Sequence, residues 1–189
     1  MTDNRTALDL LDRALAQTRE VVHGVNAEQA ALPTPCQSWN VADLIAHLVR
    51  TLRLFEEIAQ GGEWHPRDPE PIAAADWGAA VDETAERLMA AWRLRIELTD
   101  RDLQRVSQQT AECAAHSWDL AKAIGQPLVI DPEVAEFALA WTQRNLKPEH
   151  RGDESSGKAF GPEVIIAATA PPGDRFAAFL GRDPAASPG

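Results

Sequence analysis

Apolar positions recur at helical spacing in five blocks, separated by prolines, glycines and charge. Over residues 4–23, Leu8, Leu11, Leu15 and Val22 fall on one side, with Gly24 as the expected stop. ALPTPCQSW follows over residues 31–39, and two prolines in three residues forbid a regular helix there. Asn40 then offers an N-cap, with Asp43 three residues on in a capping-box arrangement. Val41, Leu44, Ile45, Leu48, Leu52, Phe55 and Ile58 carry the second block to Gly61 and Gly62. EWHPRDPEPIA reads as a loop. From about Asp76 the pattern returns at Trp77, Val81, Leu88, Trp92 and Ile96. Thr99 and Asp102 mark another start, and Leu103, Val106, Cys113, Ser117, Leu120 and Ile124 continue until Gly125. Asp131 followed by Pro132 opens the fifth block, in which Val134, Phe137, Ala138 and Trp141 make one apolar side.

Beyond Lys147 the periodicity weakens. PEHRGDESSG reads as a solvated loop, VIIA at 164–167 as a short strand, and DRFAAFLGR as a short terminal helix stopped by Gly181. Four or five substantial helices with little β pattern predict an all-α fold. The expected organisation is a helical bundle over residues 1–147, with a C-terminal extension, residues 148–189, packed on the same domain.

Length and composition narrow the setting. A chain of 189 residues suits one domain, and a hydrophobic fraction of 44% is ordinary for a globular protein. No apolar run approaches the ~20 residues that span a bilayer. The start MTDNRTALDL has an acid and no signal-peptide core, so a cytoplasmic protein without a membrane partner is expected. A net charge of −11 repels phosphate backbones and argues against nucleic acid. Cys36 and Cys113 lie far apart in sequence and read as packed thiols rather than a disulfide.

Candidate chemistry centres on the histidines. His23, His65 and His150 read as surface residues. His47 lies about 90° around the second helix from the centre of its Leu44, Leu48 and Leu52 stripe, at the margin of the buried face. His116 takes a similar place beside Val106, Ser117 and Ile124. Glu112 precedes it by four residues, which puts their Cβ atoms about 5–6 Å apart on one helix face. Two imidazoles and a carboxylate form a three-ligand set of the kind that leaves a fourth position for water or substrate. Imidazole makes zinc the first choice, and iron, nickel or copper would accept the same donors. On spacing alone, the commoner arrangement is a partly buried Glu–His hydrogen bond and an unrelated histidine.

TPCQSWNVADLIAHLV, residues 34–49, resembles the T-P-C-x-x-W-x-V-x-D-L-x-x-H-L signature of the mycothiol-dependent maleylpyruvate isomerase N-terminal domain, a DinB-like four-helix bundle. ECAAHSWDLAKAIGQP, residues 112–127, resembles the second signature, E-L-x-x-H-x-W-D-L-A-x-A-x-G, in matching order and separation. The terminal FGPEV and FLGRDP are similar to the short metal-binding members of that group. The resemblance implies a divalent metal, typically zinc, on His47, Glu112 and His116. It also implies a small thiol of the mycothiol type and a small electrophile as substrates of an S-transferase or isomerase. Asp119, one turn after His116, either orients that imidazole as an acceptor or faces water. Arg50, one turn after His47, either meets a carboxylate of the thiol or belongs to a charged helix face. Two departures stand out. RLRIELTDRDLQRV lacks the glycine-rich loop that short members place before the ExxxH helix. The tail also leaves no room for the further C-terminal domain of the longer enzymes, which weakens maleylpyruvate as the substrate. The rival reading is a noncatalytic metal- or small-ligand-binding helical protein, with the metal as a fastener and a homodimer as an option.

Overall fold

The computed structural model describes residues 4–36, 39–63, 65, 68–152, 156–158 and 160–186; the parts of the expected loops that fall between these lie outside the described residues. Its elements are α1 (Asn4–His23), α2 (Val41–Ala59), α3 (Trp77–Arg93), α4 (Asp100–Ile124), α5 (Pro132–Asn145) and α6 (Pro172–Phe179). Single 3-10 turns occupy Ala27–Gln29, Ala74–Asp76 and Pro148–His150. No strand forms among the described residues, so the all-α expectation holds.

The helix starts follow from side-chain capping. The Asn40 amide oxygen accepts from the Asp43 N–H at 2.9 Å, and the Asp43 carboxylate accepts from the Asn40 N–H at 3.3 Å. Thr99 and Asp102 repeat the exchange at the head of α4. Asp131 accepts from the N–H groups of Glu133 and Val134, and Pro132 fills the first helical position, where no donor is needed. Because Asn40 sets the entry to the helix that carries His47, Asn40→Ala is expected to cost about 1 kcal/mol in a urea melt.

Helices α1 to α4 form the bundle. α1 packs on α3 and α4, and α2 packs on α3 and α4, so the order around the bundle is α1, α3, α2, α4. α5 lies against α4 and α1, and α6 covers α5 and α4. One core cluster joins Leu11, Leu15, Phe55, Leu88 and Trp92 to α5 and α6 through Val134, Ala138 and Phe176. A second closes the opposite end with Val21, Val41, Leu44, Leu48, Trp77 and Leu120. The seam between α2 and α4 opens beside α5 and α6, and it positions the site described below.

Two expectations fail locally. α3 stops at Arg93, not near Ile96, and the Leu94 and Ile96 side chains are exposed, Ile96 completely. The Arg95 guanidinium donates to the Ala59 carbonyl and to Asp102, and Thr99 must be extended to cap α4. The chain therefore leaves the helix to make the turn. VIIA is not a strand: Val164 N–H donates to Ala178 O at the end of α6, and among the described residues no second strand lies beside it. β-branched residues favour extended backbone, but a ladder needs a partner.

α6 closes with a Schellman motif. The Gly181 N–H donates to Ala178 O and the Arg182 N–H to Ala177 O, both at 3.0 Å. Gly181 takes φ +91°, and a Cβ there would stand 2.6 Å from the Gly161 Cα. Only glycine fits, and the reversal turns Arg182 back under the helix. Among the described residues, no helix is long and apolar enough to cross a membrane.

Candidate metal centre

His47 reaches the seam from α2, Glu112 and His116 from α4. The Glu112 Oε2 stands 3.3 Å from His116 Nε2 and 4.0 Å from His47 Nε2. One donor atom from each of the three residues lies within 4.8 Å of the others. Ligand atoms on a tetrahedral zinc with bonds near 2.0–2.1 Å are about 3.3–3.4 Å apart, so a small contraction around one cation would satisfy all three. Two imidazole nitrogens and a carboxylate oxygen also suit zinc chemically, and the donor set fits the ion. The two rings meet edge to face with centroids 5.0 Å apart, and Trp39 lies 4.2 Å from the His47 ring.

These groups line one side of a pocket of about 230 Å³. Its other side is largely apolar, built by Trp141, Phe160, Phe176 and Leu180. His116 is buried, His47 is half-buried, and the Glu112 side chain remains 32% exposed at the mouth.

Asp119 sits behind His116. It is fully buried, which excludes the water-facing alternative. Its Oδ2 is 3.1 Å from His116 Nδ1, and a carboxylate only accepts, so Nδ1 holds a proton and Nε2 points toward Glu112. The carboxylate also receives two bonds from Arg182, Nε to Oδ1 at 3.1 Å and Nη2 to Oδ2 at 3.0 Å. With its oxygens engaged in this way, Asp119 is not a free general acid or base. Arg182 itself escaped the sequence reading. The resemblance of FLGRDP was the signal, but nothing in helical periodicity brings a tail residue beneath α4.

The charges follow from these contacts. Burial works against the His116 cation, but Asp119 and Glu112 outweigh it and hold the ring up to about 9. Burial also opposes the Glu112 anion, and the two imidazoles outweigh it, so its carboxyl lies well below the usual range. His47 is pushed down, chiefly by burial. At neutral pH a cation would therefore displace one proton, from His116, while His47 is already neutral and Glu112 already ionised. Below about pH 9 that proton competes with the ion. Cation affinity is expected to rise about tenfold per pH unit from 7 to 9 and to level off above. Calorimetry in buffers of different ionisation enthalpy should report about one proton released at pH 7.

Arg50 lies on the far side of His47. Its Nη2 is 3.2 Å from His47 Nδ1, and it lines a neighbouring cleft of about 140 Å³ with Arg53 rather than the pocket itself. A guanidinium only donates, so His47 Nδ1 accepts there and the ring proton sits on Nε2. Ligation through Nε2 requires the opposite tautomer, and Arg50 must then release the ring.

Both cysteines are free. Cys113 is buried as expected, but Cys36 is half-buried and lines the pocket, because the proline-broken segment carries it over the seam. Cys36, His116 and Asp119 form a second possible cation group among the described residues. It is the poorer set, since Asp119 is already held by Arg182 and burial pushes the Cys36 thiol up to about 12. Of the remaining histidines, His23 pairs with Asp82 at the surface, and His65 and His150 are exposed. Trp118 is buried and donates to Asp174 at 3.2 Å, tying α4 to α6.

The profile of the family described as the mycothiol maleylpyruvate isomerase N-terminal domain matches residues 11–121. Two uncharacterized proteins of Mycobacterium tuberculosis, from strains CDC 1551 and H37Rv, are each 34% identical over 164 residues, which is 84% of this chain and 87% of theirs. No solved structure matches the chain. The chain belongs to the mycothiol maleylpyruvate isomerase N-terminal domain family, and its fold is DinB-like.

Proposed function

We propose that the protein binds one divalent cation, most readily zinc, on His47, Glu112 and His116, and uses it to transfer or rearrange a small thiol adduct of an electrophile. The observation behind this reading is the convergence of three donor atoms from two helices at one side of an otherwise apolar pocket. Iron, nickel or copper would meet the same donors. A divalent cation with an open position lowers the pKa of a thiol that binds it, and thiolate is the nucleophilic form.

The chain's own groups supply the surroundings. Asp119 keeps the proton on His116 Nδ1, so Nε2 is the nitrogen that gives up its proton to the ion. Trp39 packs against His47 and limits its rotation. Trp141, Phe160, Phe176 and Leu180 exclude water and suit the carbon skeleton of a small electrophile. Arg50, once released from His47, meets a carboxylate of a thiol such as mycothiol only where the thiol extends past His47 into the neighbouring cleft. A reduced thiol suits work in the cytoplasm.

The test is turnover of a small thiol with a generic electrophile by the metal-loaded protein. Thiol consumption should depend on added cation and disappear in His47→Ala. A loaded protein that binds cation but neither consumes thiol nor converts the electrophile would assign it to noncatalytic metal or ligand binding instead.

A further inference from the structure

The three proposed ligands lie on α2 and α4, within the stretch that the family profile matches, yet the group that fixes one of them comes from the far end of the chain. Asp119 is 0% exposed and Arg182 is 6% exposed. Every nitrogen of the guanidinium is engaged: Nε and Nη2 on Asp119, and Nη1 on Leu180 O at 3.2 Å. Arg182 therefore acts on the pocket through Asp119 rather than by gripping a substrate.

Its delivery is built into the tail. The Schellman closure at Gly181 folds residue 182 back beneath α6, and close packing of Gly181 on Gly161 locks the reversal. Three side chains of α4 hold the tail in register: Trp118 on Asp174, Asp119 on Arg182, and Lys122 Nζ on Pro184 O at 2.7 Å. The same segment brings Phe160, Phe176 and Leu180 to the pocket wall.

We infer that Arg182 is a positioning residue for the cation site: it clamps Asp119 so that the His116 ring is held with Nε2 toward Glu112, making the tail a working part of a centre whose ligands all lie elsewhere. The inference rests on the proposed cation site. Without Arg182 the carboxylate loses two of the donors that fix its orientation and is free to turn away, and the imidazole loses its fixed acceptor. Outer groups of this kind alter metal affinity by about 10–100-fold when removed.

The experiment is a cobalt(II) titration, followed by calorimetry and visible absorption, of the full-length protein and four variants: Arg182→Lys, Arg182→Met, Asp119→Asn with Arg182→Met, and Gly181→Ala. The expected result is one ion per wild-type chain and a loss of about 10–100-fold for Arg182→Met. Arg182→Lys should fall between them, and Gly181→Ala should weaken binding because its methyl group collides with Gly161. The double variant should be no weaker than Arg182→Met alone. Wild-type affinity in folded Arg182→Met, or a further multiplied loss in the double variant, would overturn the inference. If Arg182→Met does not fold, Arg182→Lys decides, and unchanged affinity there would overturn it. If wild type binds no ion, the cation reading fails by itself, and nuclear magnetic resonance of metal-free, nitrogen-labelled protein then decides. A slowly exchanging His116 Nδ1–H seen in wild type and lost in the Arg182 variant supports positioning, and its persistence refutes it.

Discussion

Glu112→Gln leaves the fold standing and deprives the site of its cation: that is the expected result of the substitution with the largest effect on binding. The replacement keeps volume and shape but removes the negative charge that both imidazoles face at 3.3 and 4.0 Å. Binding should weaken by well over the ~100-fold that loss of a mere outer partner produces. Stability supplies an independent readout. A ligand present at about 100 times its Kd adds about 2.7 kcal/mol to the folded state. Wild type should gain that with zinc, and Glu112→Gln should gain nothing. Because the carboxylate also pairs with His116 in the metal-free protein, Glu112→Gln should melt somewhat lower than wild type there, and the comparison is of the gain that zinc adds to each. Equal zinc stabilisation of the two proteins would remove Glu112 from the ligand set.

Asp119→Ala should give the largest loss of stability. The substitution strands the Arg182 guanidinium in the interior, where Asp119 is its one ion-pair partner among the described residues. Breaking a buried pair from one side costs about 3–5 kcal/mol, a large part of the 5–15 kcal/mol typical of a domain. At about 2–4 °C per kcal/mol, the melting temperature should fall by roughly 6–20 °C. Removing both charges, as Asp119→Leu with Arg182→Met, should recover much of the loss, because apolar groups of similar size tolerate burial well. A fall of less than about 2 °C for Asp119→Ala alone would mean that the pair is solvated and holds nothing in place.

Much of the bundle was legible in the sequence because its signals are local. Asn40 with Asp43, Thr99 with Asp102, and Asp131 with Pro132 each cap the helix that periodicity placed after them. Glu112 and His116 shared a face by arithmetic alone, and the angular position of His47 put it near a seam. What stayed hidden depends on long-range packing. Ile96 continued an apolar pattern, but the turn into α4 exposes it. The β-branched run at 164–167 has no partner strand among the described residues. Cys36 read as a packed thiol, yet the proline-broken segment carries it over the pocket. Asp119 was left between two roles because its partner, Arg182, is 63 residues away.

The most direct measurement is anomalous diffraction from crystals of zinc-loaded protein at the zinc edge. A single peak is expected between His47 Nε2, Glu112 Oε2 and His116 Nε2, within about 2.0–2.2 Å of all three, with at least one further position open to solvent or thiol. A peak bound by Cys36 and Asp119 instead, or fully loaded crystals with no peak between α2 and α4, would contradict it.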